Sequence, residues 1–168
     1  FHGASIAQIS KGAGMSAGHI YHYFENKEAI IAAIVARDLA RVRTLTAELR
    51  SAHDVKDAML ARVSESVTEH LDPDVAALRL EIVAEAARHP AIAEIVRSAD
   101  AQSREGLADV IRNVRLAAGH RDDARTGAAL LEVVAAMFEG LMIRAVRNPG
   151  LDHDGAVHMF RHVLESLL

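Results

Sequence analysis

The stretch SKGAGMSAGHIYHYFENKEAI, Ser10 to Ile30, decides how the rest of the sequence is read. It puts both tyrosines of the chain and one of its four phenylalanines into the run Tyr21-His22-Tyr23-Phe24. A Gly-Met-Ser turn precedes that run and Lys27 follows it. An ordinary core spreads its aromatic residues over several elements. Hydroxyls, ring nitrogens and a positive charge gathered in one place serve a surface that binds something.

Local chemistry gives the stretch its shape. Ser5 and Gln8 form a capping box: the hydroxyl accepts from the Gln8 amide while the Gln8 side chain reaches back. This predicts a short helix over Ser5–Ala13, ended by Gly14 in the left-handed position. Ser16 caps a second short helix to about Tyr23, and Asn26 caps a long third one to about Ala52. Two short helices crossing at a tight turn would bury Ile6, Ile9, Met15, Ile20 and Phe24 together. Ala17, Gly18, His19, Tyr21, His22 and Tyr23 then face outward, which is the helix-turn-helix arrangement. Small Ala17 and Gly18 let the amides and dipole of the helix N-terminus come close to a phosphate. Tyrosine hydroxyls and Lys27 suit phosphate oxygens, and histidines suit phosphates or base edges. The candidate DNA-binding set is Ser5, Ser16, Ala17, Gly18, His19, Tyr21, His22, Tyr23 and Lys27.

At these residues the sequence resembles the DNA-binding signature of the TetR family of bacterial transcriptional regulators. The match runs through Ser5, Ile9, Ala13, Gly14, Ser16, Gly18, Ile20, Tyr21, Tyr23, Phe24, Lys27, Glu28 and Ile30. It departs mildly where Ser10 replaces alanine, Gly12 weakens the first helix and Met15 replaces a β-branched residue. The resemblance implies an all-α fold, with a helix-turn-helix head over residues 1–28 and a larger helical body over 29–168. That body is expected to bind a small molecule and to dimerise through its last two helices. Phe1 falls in the motif's lead-in, so the resemblance also implies a preceding, usually basic, helix that this sequence does not contain. In residues 1–28, Lys11 and Lys27 balance Glu25 and Glu28, so the body carries the whole net charge of −4.

The rest of the sequence agrees with a helical protein. With 51% hydrophobic and 25% charged residues it has the composition of a globular domain, not of a disordered or fibrous chain. The absence of cysteine excludes disulfides, zinc-thiolate sites and cysteine nucleophiles, and fits a reducing cytoplasm. The most apolar run, Gly127 to Val146, is interrupted by Glu132, Glu139 and Arg144 and reads as a buried helix, with no membrane span expected. Further helices are predicted from Asp54 to about His70, from Asp74 to Arg88, from Pro90 to Gly119, from Asp123 to Val146 and from Asp154 to Leu168.

For dimerisation, the expected stripes are Leu130, Val134, Phe138 and Leu141 on one helix and Val157, Phe160, Leu164 and Leu167 on the last. Helices apolar on several faces must be covered on several faces. For a small-molecule effector, a mainly apolar cavity is expected, with Met59, Met137 and Phe138 as candidate wall residues. Glu132 and Glu139 are candidates for meeting a cationic ligand. Asp154, His158 and His162 have a spacing that can hold a metal, but no His-Glu-x-x-His, nucleophile motif or phosphate loop accompanies them. The sequence reading is therefore of a non-enzymatic, homodimeric regulator of a double-stranded DNA operator. It needs no cofactor and no metal; the alternatives are a transcriptional regulator without a small-molecule effector, or a helical metal-binding or adaptor protein.

Overall fold

The computed structural model describes Lys11, residues 14–121 and residues 123–168. Most of the helix expected over Ser5–Ala13, with Ser5, Ile6 and Ile9, lies outside the described residues. Those described form helices α1 (Ala17–Tyr23), α2 (Lys27–Ser51), α3 (Val55–Ala61), α4 (Val63–Leu71), α5 (Pro73–Ala86), α6 (Pro90–Ala117), α7 (Ala124–Arg147) and α8 (His153–Leu167). No strand occurs among them.

Side-chain caps explain most of the starts. The Ser16 hydroxyl accepts from the His19 amide at 3.1 Å, Asn26 from Ala29 at 2.8 Å, and Asp54 from Asp57 at 2.9 Å. Asp72 accepts from both Asp74 and Val75 at 2.9 Å, with Pro73 at the first helical position, where its missing N–H costs nothing. Asp152, not Asp154, caps α8, accepting from the Gly155 amide at 3.1 Å. Gly14 and Gly119 have φ of 64° and 84°, the left-handed conformation that ends a helix cheaply only at glycine.

The helix expected from Asp54 to His70 is two helices. At Arg62 the amide donates to the Met59 carbonyl at 3.1 Å, a tighter turn than an α-helix makes. The break lets the two halves serve different parts of the core. Val55 and Met59 of α3 pack on the Ile111–Val114–Leu130–Leu131 cluster. Leu60, Val63 and Val67 join Leu141 and Leu164.

Long α2 lies along α6, α5 packs on both α6 and α7, and α4 sits against α7 and α8. Beneath the start of α2, buried Ile31, Ile82 and Ile92 tie α2, α5 and α6 together, with Ile34, Val35, Leu78, Ala86 and Val96 around them. Helix α2 runs unbroken from Lys27 into this cluster, so whatever moves α5 or α6 acts on the residues just beyond the turn motif.

Much of the expected dimerisation stripes packs within the protomer. Leu130, Leu141 and Leu164 are buried within one protomer, and Val134, Phe138, Val157, Phe160 and Leu167 are half-buried and packed against the same two core clusters. The Phe138 and Phe160 rings meet at 5.2 Å. The physical reason is α4: its Val63 and Val67 need apolar cover, and these faces of α7 and α8 supply it. The large apolar residues these two helices leave outside are others: Val133 at 52% exposure, Ile143 at 47%, Val146 at 59% and Met159 at 52%.

Candidate nucleic-acid interface and effector cleft

Helix α1 is built to show one polar face. Ile20 is buried and Phe24 half-buried, fixing the helix to the protein from one side. On the other side Tyr21 is 57% and Tyr23 65% exposed, so neither tyrosine is a packing anchor. The Tyr23 ring takes edge contacts from His19 at 5.3 Å and His22 at 5.0 Å, which hold the three rings as one exposed aromatic cluster. Ser16 is spent on capping, and a side chain added at Gly18 would meet nothing within 4 Å, so the backbone there is open to a close-approaching surface. Ala17 opens the helix, and Ser5 lies outside the described residues. Met15, expected in the small core, is 41% exposed, because it stands in the non-helical turn between Gly14 and Ser16.

Lys27 is not with the tyrosines. Its ammonium is 3.2 Å from Oε2 of Glu85 on α5, in a pair whose side chains are 23% and 1% exposed. Arg88 reaches Oε1 of the same carboxylate at 3.2 Å, and His89 approaches Oε2 at 3.4 Å. Burial alone would raise the Glu85 carboxyl. The hydrogen bonds from Lys27 and Arg88, and the charges of Lys27 and His89, outweigh it and hold the group down at about 2. Nothing in the sequence links Lys27 to Glu85, which stand 58 positions apart.

A cleft of about 740 Å³ opens between α2, α4, α5, α6 and α7. Its walls include Val35, Leu45, Ile82 and Met142, but also Asp38, Arg41, Glu69, His70, Arg79 and Glu139. The lining exposes more apolar than polar surface, and within it charged faces of α2 and α4 turn toward each other and lock by ion pairing. Arg41 donates to both Glu69 oxygens at 2.7 and 2.8 Å. Arg79 donates to Glu69 at 2.6 Å and to Asp38 at 3.3 Å. His70 donates from Nδ1 to the Ser66 carbonyl at 2.7 Å and turns Nε2 to Arg79 at 3.5 Å. Burial lowers the His70 imidazole below its usual range; the Arg79 charge adds to this, against the Ser66 hydrogen bond.

The candidate wall residues are displaced. Met59 belongs to the core at α6 and α7. Met137 is half-buried outside the cleft. Phe138 lies one layer behind the wall, its ring 5.3 Å from that of His70. Of the two candidate glutamates, Glu139 lines the cleft while Glu132 pairs with Arg104 at 2.5 Å. Among the described residues no group of three His, Asp or Glu side chains is arranged to hold a metal ion, and Asp154 pairs with His153 at 3.2 Å. No described helix is long and apolar enough to cross a membrane.

These features meet the comparisons with known proteins. The model of the family described as "BetI-type transcriptional repressor, C-terminal" matches residues 56–168. That described as "Bacterial regulatory proteins, tetR family" matches residues 1–34. The transcriptional regulator BetI of Pseudomonas aeruginosa (strain LESB58) is 30% identical over 170 residues, covering 98% of this chain and 83% of that protein. The regulator UidR of Escherichia coli K12 is 29% identical over 119 residues, 68% of this chain, and the chain spans 58% of that relative's length. Among solved structures, Salmonella enterica GusR superposes with a TM-score of 0.76 at 26% identity, over 99% of this chain and 85% of that one. Bacillus subtilis FadR, solved in complex with stearoyl-CoA, superposes at 0.75 with 15% identity, over 99% of this chain and 90% of that one, a likeness of fold alone. With the turn motif at one end and the BetI-type body at the other, the chain belongs to the TetR family of helix-turn-helix, DNA-binding transcriptional regulators.

Proposed function

We propose that this chain acts as a homodimeric, cytoplasmic repressor that a small effector releases from a palindromic operator. The division of labour is a head over residues 1–28 and a body over 29–168. The observation that carries the reading is the exposed Tyr21, Tyr23, His19 and His22 cluster on a helix whose capped, glycine-bearing start is open. In this reading α1 enters a major groove; the tyrosine hydroxyls hold phosphates and the histidines reach phosphates or base edges. Two heads on a two-fold axis then read half-sites about one helical turn (~34–36 Å) or a multiple apart.

The second copy docks on the apolar residues left outside the protomer. Val133, Ala136, Gly140 and Ile143 recur at helical spacing along α7, and Met159 is an exposed apolar residue of α8. Ala136 and Gly140 between larger neighbours favour close approach of another helix, and an isologous contact covers both copies at once. The effector enters the cleft around Arg79, Glu69 and His70. Its mainly apolar surface suits a small, largely apolar molecule, with the ion-paired side chains able to hold a polar group on it.

The test is capture of genomic fragments by the full-length protein, followed by sequencing and footprinting. The expected result is a two-fold-symmetric site, bound less tightly as salt rises. A footprint without symmetry, or capture indifferent to sequence, defeats the proposal.

A further inference from the structure

We propose that Glu85 is a positioning residue for DNA reading, which grips Lys27 to set the angle at which α1 leaves the body. The proposal rests on the DNA-binding reading of α1 and gives Lys27 an inward role in place of a phosphate contact.

Each partner sits where its own helix opposes it. Glu85 lies in the last turn of α5, whose unpaired carbonyls make that end negative, and Lys27 opens α2, whose unpaired amides make that end positive. Brought together, the two helix ends and the two side chains attract, and each offsets the other's local penalty. Both carboxylate oxygens are occupied: Oε2 faces Lys27 at 3.2 Å and His89 at 3.4 Å, and Oε1 faces Arg88 at 3.2 Å. Arg88 and His89 are about half-exposed and lie within one turn of Glu85 in sequence, so they steady the carboxylate but span nothing. Lys27 reaches it from across the seam, 58 positions away.

The next turns of α2 and α5 carry buried Ile31 and Ile82, which pack with Ile92 and Ala86. An aliphatic residue would serve stability as well at position 85, since a buried ion pair often adds little over a hydrophobic isostere. What a charged pair adds is a unique register, the best-attested use of such pairs. The leverage is short. Only Phe24, Glu25 and Asn26 separate α1 from Lys27. None of them is glycine, and two are held: the Phe24 amide donates to Ile20 at 2.9 Å and the Asn26 side chain caps α2. A rotation at Lys27 is therefore passed to the tyrosines.

The experiment uses the full-length protein and two readouts. First, Lys27→Met, Glu85→Leu and the double variant are compared for operator affinity over a range of salt. The double variant replaces both charges by apolar groups and keeps its fold where a single change leaves one charge without its partner on the other helix. It is expected to retain the wild-type melting temperature and to bind its operator about tenfold or more weakly. Its salt slope is expected to stay unchanged, because no phosphate contact has been lost. Second, the chain has no cysteine, so His22→Cys and Glu105→Cys take spin labels cleanly, diluted with unlabelled protein. The head-to-body distance distribution should be narrow with the Lys27–Glu85 pair and broad without it. An unchanged distance distribution overturns the proposal. So does wild-type affinity in the double variant, or a slope reduced by the ~0.9 expected of one lost phosphate contact. If the unaltered protein finds no operator, the DNA reading fails, and the distances decide on the latch by themselves.

Discussion

Substitutions on α7 and α8 should separate folding from dimerisation. Leu164 is 6% exposed and packed among Leu60, Val63, Val67 and Leu141. Truncation to alanine removes those contacts and leaves a cavity that helices α4, α7 and α8 close only in part, a loss of ~2–5 kcal/mol. For a chain of this size 1 kcal/mol moves the melting temperature by ~2–4 °C, so a mid-range loss of about 3 kcal/mol corresponds to roughly 6–12 °C. Ile143→Glu is the contrasting change. At 47% exposure it costs the protomer little, within about 0.5 kcal/mol for a surface site. In a two-fold interface it sets two carboxylates into an apolar contact, and association should be lost. Dimerisation itself raises the apparent melting temperature by mass action, so melts are run over a range of concentration beside sedimentation velocity. Leu164→Ala should melt low at every concentration. Ile143→Glu should sediment as a helical monomer whose melting temperature no longer depends on concentration. If Leu164→Ala gives stable monomers, or Ile143→Glu stays dimeric, the assignment of inner and outer faces is wrong.

Tyr21→Phe and Tyr23→Phe should each weaken binding by roughly 1 kcal/mol on every DNA sequence alike, since phosphate contacts carry no base information. Fluorescence anisotropy on a set of operator variants checks this, and a loss confined to one base position counts against the phosphate role. For His70 the native pKa lies below the unfolded 6.5. The unfolded chain therefore binds the extra proton first as pH falls, and stability drops from about pH 6.5 downward. Urea titrations of wild type and His70→Gln should converge in stability as the medium is acidified; parallel curves refute the point. Glu85, with its native pKa at about 2 against 4.5 unfolded, contributes stability present above 4.5 and lost between 4.5 and about 2. Glu85→Gln should lack that part of the acid transition in circular dichroism, and an identical acid limb in both proteins would contradict it.

What could be read from the sequence is what depends on neighbours a few residues apart. The Ser16, Asn26 and Asp54 caps, the left-handed glycines at 14 and 119, and the outward tyrosines all follow from chemistry confined to one turn of chain. The faces of α7 were not legible in that way. Leu130-Val134-Phe138-Leu141 and Val133-Ala136-Gly140-Ile143 are both apolar at helical spacing, and the hydrophobic effect has no direction of its own. Which stripe is covered is decided by Val63 and Val67 on α4, far away in sequence, and a bulkier stripe is the natural choice for an inner core that must be filled. Ala136 is exposed, and a side chain added at half-buried Gly140 would meet nothing within 4 Å, so a second backbone has room there. The cleft escaped for the opposite reason. Asp38, Arg41, Glu69 and Arg79 look like solvated charges one by one, and only their convergence from three helices makes a walled site. The same holds at the seam. A lysine in the first turn of a helix and a glutamate in the last turn of another each run against the local dipole. Such misplaced charges mark where a sequence answers to a distant partner, and Lys27 and Glu85 meet at 3.2 Å.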